Sequence, residues 1–494
     1  MALDHTSSSS LTSRRALLRL LAGGAAASLL AACSSATPPG VTPGVVATPG
    51  GGATPAGKPD AGATPGAAAT PVPTEVSARE AASGRKSTIE VYTAYSGAPY
   101  QTVLELADMF EKTQPDIGVR VVFAGTLPDN ETKTFAAVAG GKAPDVAWVD
   151  GPQVSSWAVQ GILQPIDQYL KSAGLTESMY WPPSWKQNLW KGQVYALTLT
   201  SDANFGFFWN KGIYKDAGLD PEKPPTTIDE MTDMSDKISK VDNDRIVRLG
   251  MVPWSVYGSP NSMYTWGWTF GGDFYDEASQ KITADHPGNV AALQWMVDRF
   301  AKKYDPSRIS GFQAGFGQAE NGPFYQGQTA MQPMGNWEIA SLAQFKPDLD
   351  YGITYMPTGP NGAAPHSSWV GGWCIGIPKG AKNPEAAFQF MNYIAGTGEG
   401  VEYLATKRNF FPGYVKAKYY ADIANDPKLG QFVNILKETR HQRPVIPVQS
   451  FYSKALGKAL DDAVLGGKSA KDALAEATTN TQRELDSTLK RYGG

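Results

Sequence analysis

Residues 134–153 read Thr-Phe-Ala-Ala-Val-Ala-Gly-Gly-Lys-Ala-Pro-Asp-Val-Ala-Trp-Val-Asp-Gly-Pro-Gln. A helix through Thr134 to Ala139 stops at Gly140-Gly141, and Pro144 to Val149 is a short apolar run closed by turn residues. Such a run reads as a strand buried on both faces, with Asp150 to Gln153 as the loop beyond it. Outward from this stretch, Ile89 to Tyr92 reads as a first strand, Gly97-Ala98-Pro99 as a turn, Leu104 to Lys112 as a helix and Gly118 to Phe123 as another strand. Strands alternating with helices predict parallel α/β sheets with both faces covered. Ligands in such sheets bind beyond the carboxyl ends of strands, so Tyr95, Ser96, Asp150 and Gln153 are candidate contacts.

The chain has 494 residues and a formal net charge of −3. No stretch clusters Lys and Arg, which argues against a nucleic-acid partner. The four histidines, His5, His286, His366 and His441, lack any metal-ligand spacing, so neither a metal nor a cofactor is expected. No nucleophile elbow, phosphate loop or dinucleotide fingerprint is present. Paired carboxylates for glycoside cleavage come from distant segments, and the sequence points to no pair.

Arg14, Arg15 and Arg19 accompany an apolar stretch from about Ala16 to Ala32, the pattern of an export signal. Leu30-Ala31-Ala32-Cys33 resembles a bacterial lipobox, which implies lipidation of Cys33, and Ser13 to Arg19 resembles a twin-arginine signal. From Ser34 onward the chain is mostly Ala, Pro, Gly and Thr, with Thr-Pro recurring from Thr37 to Thr70, and it has almost no large apolar residue. The expected organisation is a signal over 1–32 and a lipidated cysteine with a disordered tether over 33–85. Roughly 400 residues follow, more than one core accommodates, so two lobes are expected. The other cysteine, Cys374, lies in an apolar run, and no internal disulfide is expected.

Further along the chain come Lys142-Ala143-Pro144-Asp145-Val146, Gln160 to Asp167, Gly192 to Leu197, Phe208-Trp209-Asn210-Lys211 and Ala217 to Asp220. Gly271 to Asp276, Phe324 to Met331, Gly335-Asn336-Trp337, Gly371-Gly372-Trp373 and Asn383 to Phe388 complete the series. In this order they resemble the carbohydrate-type, maltose-binding-like solute-binding proteins of ATP-binding-cassette importers. The resemblance implies an α/β, two-lobe periplasmic-binding-protein-like fold with a ligand cleft between lobes. It places lobe 1 at 86–202 and 374–396, lobe 2 at 203–373 and 397–494, and crossings near 201–204, 369–373 and 394–400. It also implies capture of a sugar, mono- or oligosaccharide, and delivery to a membrane permease by a monomer held outside the cytoplasm. No enzymatic activity is expected. The alternatives are a lipid-anchored polysaccharide-processing enzyme and a binding protein for glycerol phosphate. The chain departs from the family in having Trp209 where Tyr is common, and its acidic residue near the first crossing is Asp202.

A pyranose has an apolar C–H face and a hydroxyl rim, so its capture calls for aromatic platforms edged by fixed donors and acceptors. All 13 tryptophans lie between Trp148 and Trp373. Trp148, Trp157, Trp185, Trp190 and Trp295 fall on strand or helix patterns and are expected in the core. Trp254, Trp337 and Trp373 stand beside turn residues and are candidate platforms, as is at least one of Trp266 and Trp268. Asp150, Gln153, Asp202, Asn204 and Asn336 are the candidate polar contacts. Gly371 and Gly372 are candidates through their backbone.

Overall fold

The Val146–Asp150 strand is buried along its whole length at the centre of a five-stranded sheet. The computed structural model describes residues 78–317 and 321–492, all within one compact unit. The export signal, Cys33 and the tether before residue 78 lie outside the described residues. Across the sheet the order is Ile117–Phe123, Ser87–Thr93, Val146–Asp150, Trp373–Gly376, Ala196–Thr198. The first three strands are parallel, as the helix and strand alternation predicts. Trp373–Gly376 runs antiparallel to both neighbours, because the chain re-enters this sheet from the other lobe and meets it from the opposite end.

Alternation along the central strand covers both faces of the sheet. Val146 and Trp148 join one core with Val91, Leu197 and Ile375, while Ala147 and Val149 join another with Trp157, Ile162 and Cys374. The Gly97–Thr113 helix supplies Tyr100, Val103, Leu106, Ala107 and Phe110 to the first of these at three- and four-residue spacing. Asp145, just before the strand, fastens three segments at once. Its carboxylate accepts backbone N–H bonds from Glu90 (2.9 Å), Lys382 (2.9 Å) and Asn383 (2.8 Å).

The second lobe carries two three-stranded sheets. One is Met331–Met334, Gly206–Asn210, Tyr351–Thr354; the other is His441–Gln442, Trp369–Gly371, Asp202–Asn204. Its main core gathers Tyr264, Trp266, Trp268 and Trp369 around Leu293, Leu456 and Leu474.

Leu199 belongs to the first lobe's core and Ala203 to the second's; Val370 and Ile375 are divided in the opposite sense. A further passage lies between Ala395, in the first core, and Phe411, which packs against Phe432 in the second lobe. The helix Gly400–Arg408 has apolar residues for both cores, Leu404 for one and Val401 and Ala405 for the other, and composition alone does not divide it.

The folded domain also begins earlier than the expected boundary at Lys86. Arg79 exchanges two backbone hydrogen bonds of 2.9 Å with Val121, and its guanidinium reaches Glu111 at 2.8 Å and Asp108. One arginine among small residues carries no strand signal, which is why the sequence reads as tether there.

Candidate functional site

The junction between lobes is shaped by glycines that admit close backbone contact. In the Gly371–Asp202 register a Cβ on Gly371 would fall 2.1 Å from Asn204 Nδ2. Gly372 has φ 129°, and a Cβ there would fall 2.0 Å from the Thr200 carbonyl oxygen. These glycines act through the packing their backbone permits. Next to them the Thr200 hydroxyl accepts from the Trp373 N–H at 3.0 Å and donates to Asp202 Oδ2 at 3.3 Å.

Tyr95, at the end of the first strand, lies against this corner. Its ring meets Trp148 and Trp373 edge-on at 6.0 and 5.8 Å and packs on Phe410 at 5.4 Å. Its hydroxyl is buried without a partner. Burial, followed by the nearby charge of Asp202, holds the phenol well above its usual range. Ser96 is exposed, and its side chain does not cap the helix it precedes.

Asp202 is buried, and its Oδ1 has no partner. Burial raises its carboxyl to about 7; Asp150 adds to the rise, and the Thr200 hydroxyl and Arg443 oppose it. Asn204 Oδ1 and Gln153 Oε1 are likewise buried and unpartnered. Asn336 is fully buried; its Nδ2 donates to the Asn409 carbonyl at 2.6 Å, and its Oδ1 is unpartnered.

Asp150 differs from the other candidate contacts. Arg443 takes both carboxylate oxygens, at 2.8 and 2.5 Å, and the guanidinium lies over the Trp369 ring at 5.1 Å. This nearly buried pair joins the central strand of lobe 1 to the second lobe across 293 residues of sequence. Asp150 is thereby an interlobe anchor, and no sequence signal near Asp150 identifies Arg443.

The tryptophans divide into two sets. Trp337 is partly buried and packs against the cores of both lobes, with Tyr257 at 5.4 Å and Phe205 at 6.3 Å. Its indole folds back over Gly335, where a Cβ would fall 2.2 Å from the ring. Trp373 is partly buried against the first core, and Trp254 lines a cavity of about 390 Å³ with Tyr257, Tyr325 and Glu338. Trp266 is no platform: it is fully buried, packs on Trp295 at 5.2 Å and donates its N–H to the Pro253 carbonyl at 2.6 Å. Trp268 is also largely buried, with His441 stacked on it at 5.1 Å, and it lines a cavity of about 610 Å³ with Asp273, Tyr275 and His441. The helix Ser259–Thr269 carries both residues inward, and the turn at Gly271 that suggested a cleft position begins only after it ends.

Sequence reasoning missed Tyr257, Tyr325 and Glu338. The Glu338 carboxylate accepts from the Tyr257 hydroxyl at 2.6 Å, from the Trp337 N–H at 3.2 Å and from the Tyr325 hydroxyl. Its position directly after Trp337 was the available signal. Among the described residues no group of His, Cys, Asp and Glu is arranged to hold a metal ion.

Comparisons with known proteins give the family. The sequence matches the bacterial extracellular solute-binding protein family over residues 93–401. It is 24% identical over 416 residues to the maltooligosaccharide ABC transporter solute-binding lipoprotein of Streptococcus pneumoniae strain R6, covering 82% of this chain and 90% of that one. It is 23% identical over 331 residues to the sn-glycerol-3-phosphate-binding periplasmic protein UgpB of Pectobacterium atrosepticum, covering 64% and 71% of the two chains. The solved structure of CpMnBP1 with mannobiose bound superposes with a TM-score of 0.73 at 26% identity, covering 80% of this chain and 99% of the other. These relatives are named for binding and transport, and the family is extracellular. The chain belongs to the bacterial extracellular solute-binding protein family.

Proposed function

We propose that the protein captures a sugar, mono- or oligosaccharide, in the cleft between its lobes and delivers it to the permease of an ATP-binding-cassette importer. In this reading it acts as a monomer held at the membrane by a lipid on Cys33. The observation that carries the proposal is the set of buried, unpartnered polar atoms at the junction: the Tyr95 hydroxyl, Gln153 Oε1, Asp202 Oδ1, Asn204 Oδ1 and Asn336 Oδ1. A buried polar atom without a partner costs about 1 to 3 kcal/mol, and a ligand rimmed with hydroxyls removes that cost. Trp337 and Trp373 supply the flat apolar surfaces for the ring faces.

Affinity then comes from contacts completed only when both lobes meet the ligand, which is how a binding protein couples capture to closure. The maltooligosaccharide and mannobiose binders among the relatives support a sugar. The glycerol-3-phosphate binders support it less, since the guanidinium beside these groups, Arg443, is already paired with both oxygens of Asp150.

Calorimetric titration of the purified chain with mannobiose, maltotriose and glycerol 3-phosphate tests the proposal. A sugar should bind with a dissociation constant in the range of about 1 μM, near −8 kcal/mol, and be recovered chemically unchanged. Binding of glycerol phosphate alone, or release of a cleaved sugar, would replace the proposal with one of its alternatives.

A further inference from the structure

The cavity beside Trp337 has a composition that a neutral sugar does not explain. Trp254, Tyr257, Phe316, Phe324 and Tyr325 bring aromatic rings to a space of about 390 Å³, within the range of small-molecule sites. Among the described residues that line it, Glu338 is the one charged side chain, and none is Lys, Arg or His. The Glu338 side chain is buried, and its donors are two phenols and an indole. It stands at the first turn of the Glu338–Phe345 helix, whose dipole supplies only a partial positive charge. A carboxylate removed from water and matched by neutral donors alone still lacks a counter-charge. Aromatic faces around it attract a cation through their quadrupoles while offering nothing favourable to an anion.

We propose that this cavity is a subsite for a protonated amine, so that the preferred ligand is an amino sugar or an oligosaccharide ending in one. The proposal rests on the sugar-binding reading above, because the cavity adjoins the cleft through the Trp337–Tyr257 contact at 5.4 Å. The ammonium lies against Glu338 and the aromatic rings. Gln332 and Ser255, which also line the cavity, meet ring hydroxyls.

The test is calorimetric titration of the full-length chain with glucosamine, mannosamine and galactosamine, each beside its parent hexose and its N-acetyl derivative, and with choline. Wild type should bind at least one free amine roughly tenfold more tightly than its parent and its N-acetyl form, and Glu338→Gln should bring that ratio close to one. Parent sugars binding as tightly as their amines would overturn the amine subsite and leave sugar capture standing. A Glu338→Gln variant that weakens amine and parent equally would overturn it too, because Glu338 would then act by holding Tyr257 and Trp337 in place. Choline binding without any amino sugar would overturn the amino-sugar class. Absence of binding throughout, in a protein that also ignores mannobiose and maltotriose, would overturn both readings.

Discussion

Two regions of the molecule are equally dry and differ in how their polar atoms are matched. In the aromatic core around the Ser259–Thr269 helix, the Trp266 N–H bonds the Pro253 carbonyl, the Trp369 N–H bonds the Thr265 hydroxyl, and Gln449 Nε2 bonds the Tyr264 hydroxyl although its Oε1 stays unpartnered. At the lobe junction Tyr95, Asp202, Asn204 and Asn336 are buried to a similar degree, yet each keeps a polar atom without a partner. Burial alone therefore does not identify a binding site. Several unpartnered polar atoms gathered at the lobe junction do, since single ones, such as Gln449 Oε1, also occur in the core.

Trp266→Ala should break the matched region with the largest effect, a loss of about 3 to 5 kcal/mol of stability from the void and the orphaned carbonyl. The melting temperature should fall steeply, while the fraction still folded binds sugar with wild-type affinity; a weakened affinity at unchanged melting would put Trp266 in the cleft. Arg443→Met comes next, at about 3 kcal/mol, because it leaves Asp150 charged and buried; adding Asp150→Asn should recover much of that loss in a denaturant melt. If the double variant is no better than the single one, the pair is not the unit that joins the lobes there.

Trp337→Ala sharpens the contrast. It should cost about 2 kcal/mol of sugar affinity by titration and clearly less stability than Trp266→Ala, because its ring is only partly buried. The reverse ordering would make Trp337 core. A further effect concerns pH. Asp202 in the folded protein titrates near 7 against an ordinary 3.8, so it keeps a proton that the unfolded chain has released. Its contribution to stability is full below about pH 4 and declines as pH rises through about 7, at no more than about 1.4 kcal/mol per pH unit. Asp202→Asn should flatten the stability profile over that window, and a variant with the wild-type profile would show that another group carries the dependence.

Much of the scaffold is legible in the sequence because it rests on local pattern. Pro144 to Val149 has the length, apolarity and flanking turns of a buried strand, and the strand Val146–Asp150 forms there. The one antiparallel strand of that sheet, Trp373–Gly376, follows from where the chain re-enters it, which no local window records. The site is legible where a turn residue marks it, as Gly335 does for Trp337 and Gly371 for the Asn204 corner. It is not legible where partners come from far away: nothing around Asp150 announces Arg443. Trp266 misled for a related reason, since a helix buried on all sides has no polar face to show which way its tryptophans point.

Arg79 decides where mechanical load enters the molecule. Any pull on the segment preceding it is delivered to Val121, on the outer strand of the first lobe's sheet, through a pair of backbone bonds reinforced by Glu111 and Asp108. The second lobe has no part in that attachment. Tension along the leading segment would thus bear on the first lobe and reach the second only through contacts such as the Asp150–Arg443 pair.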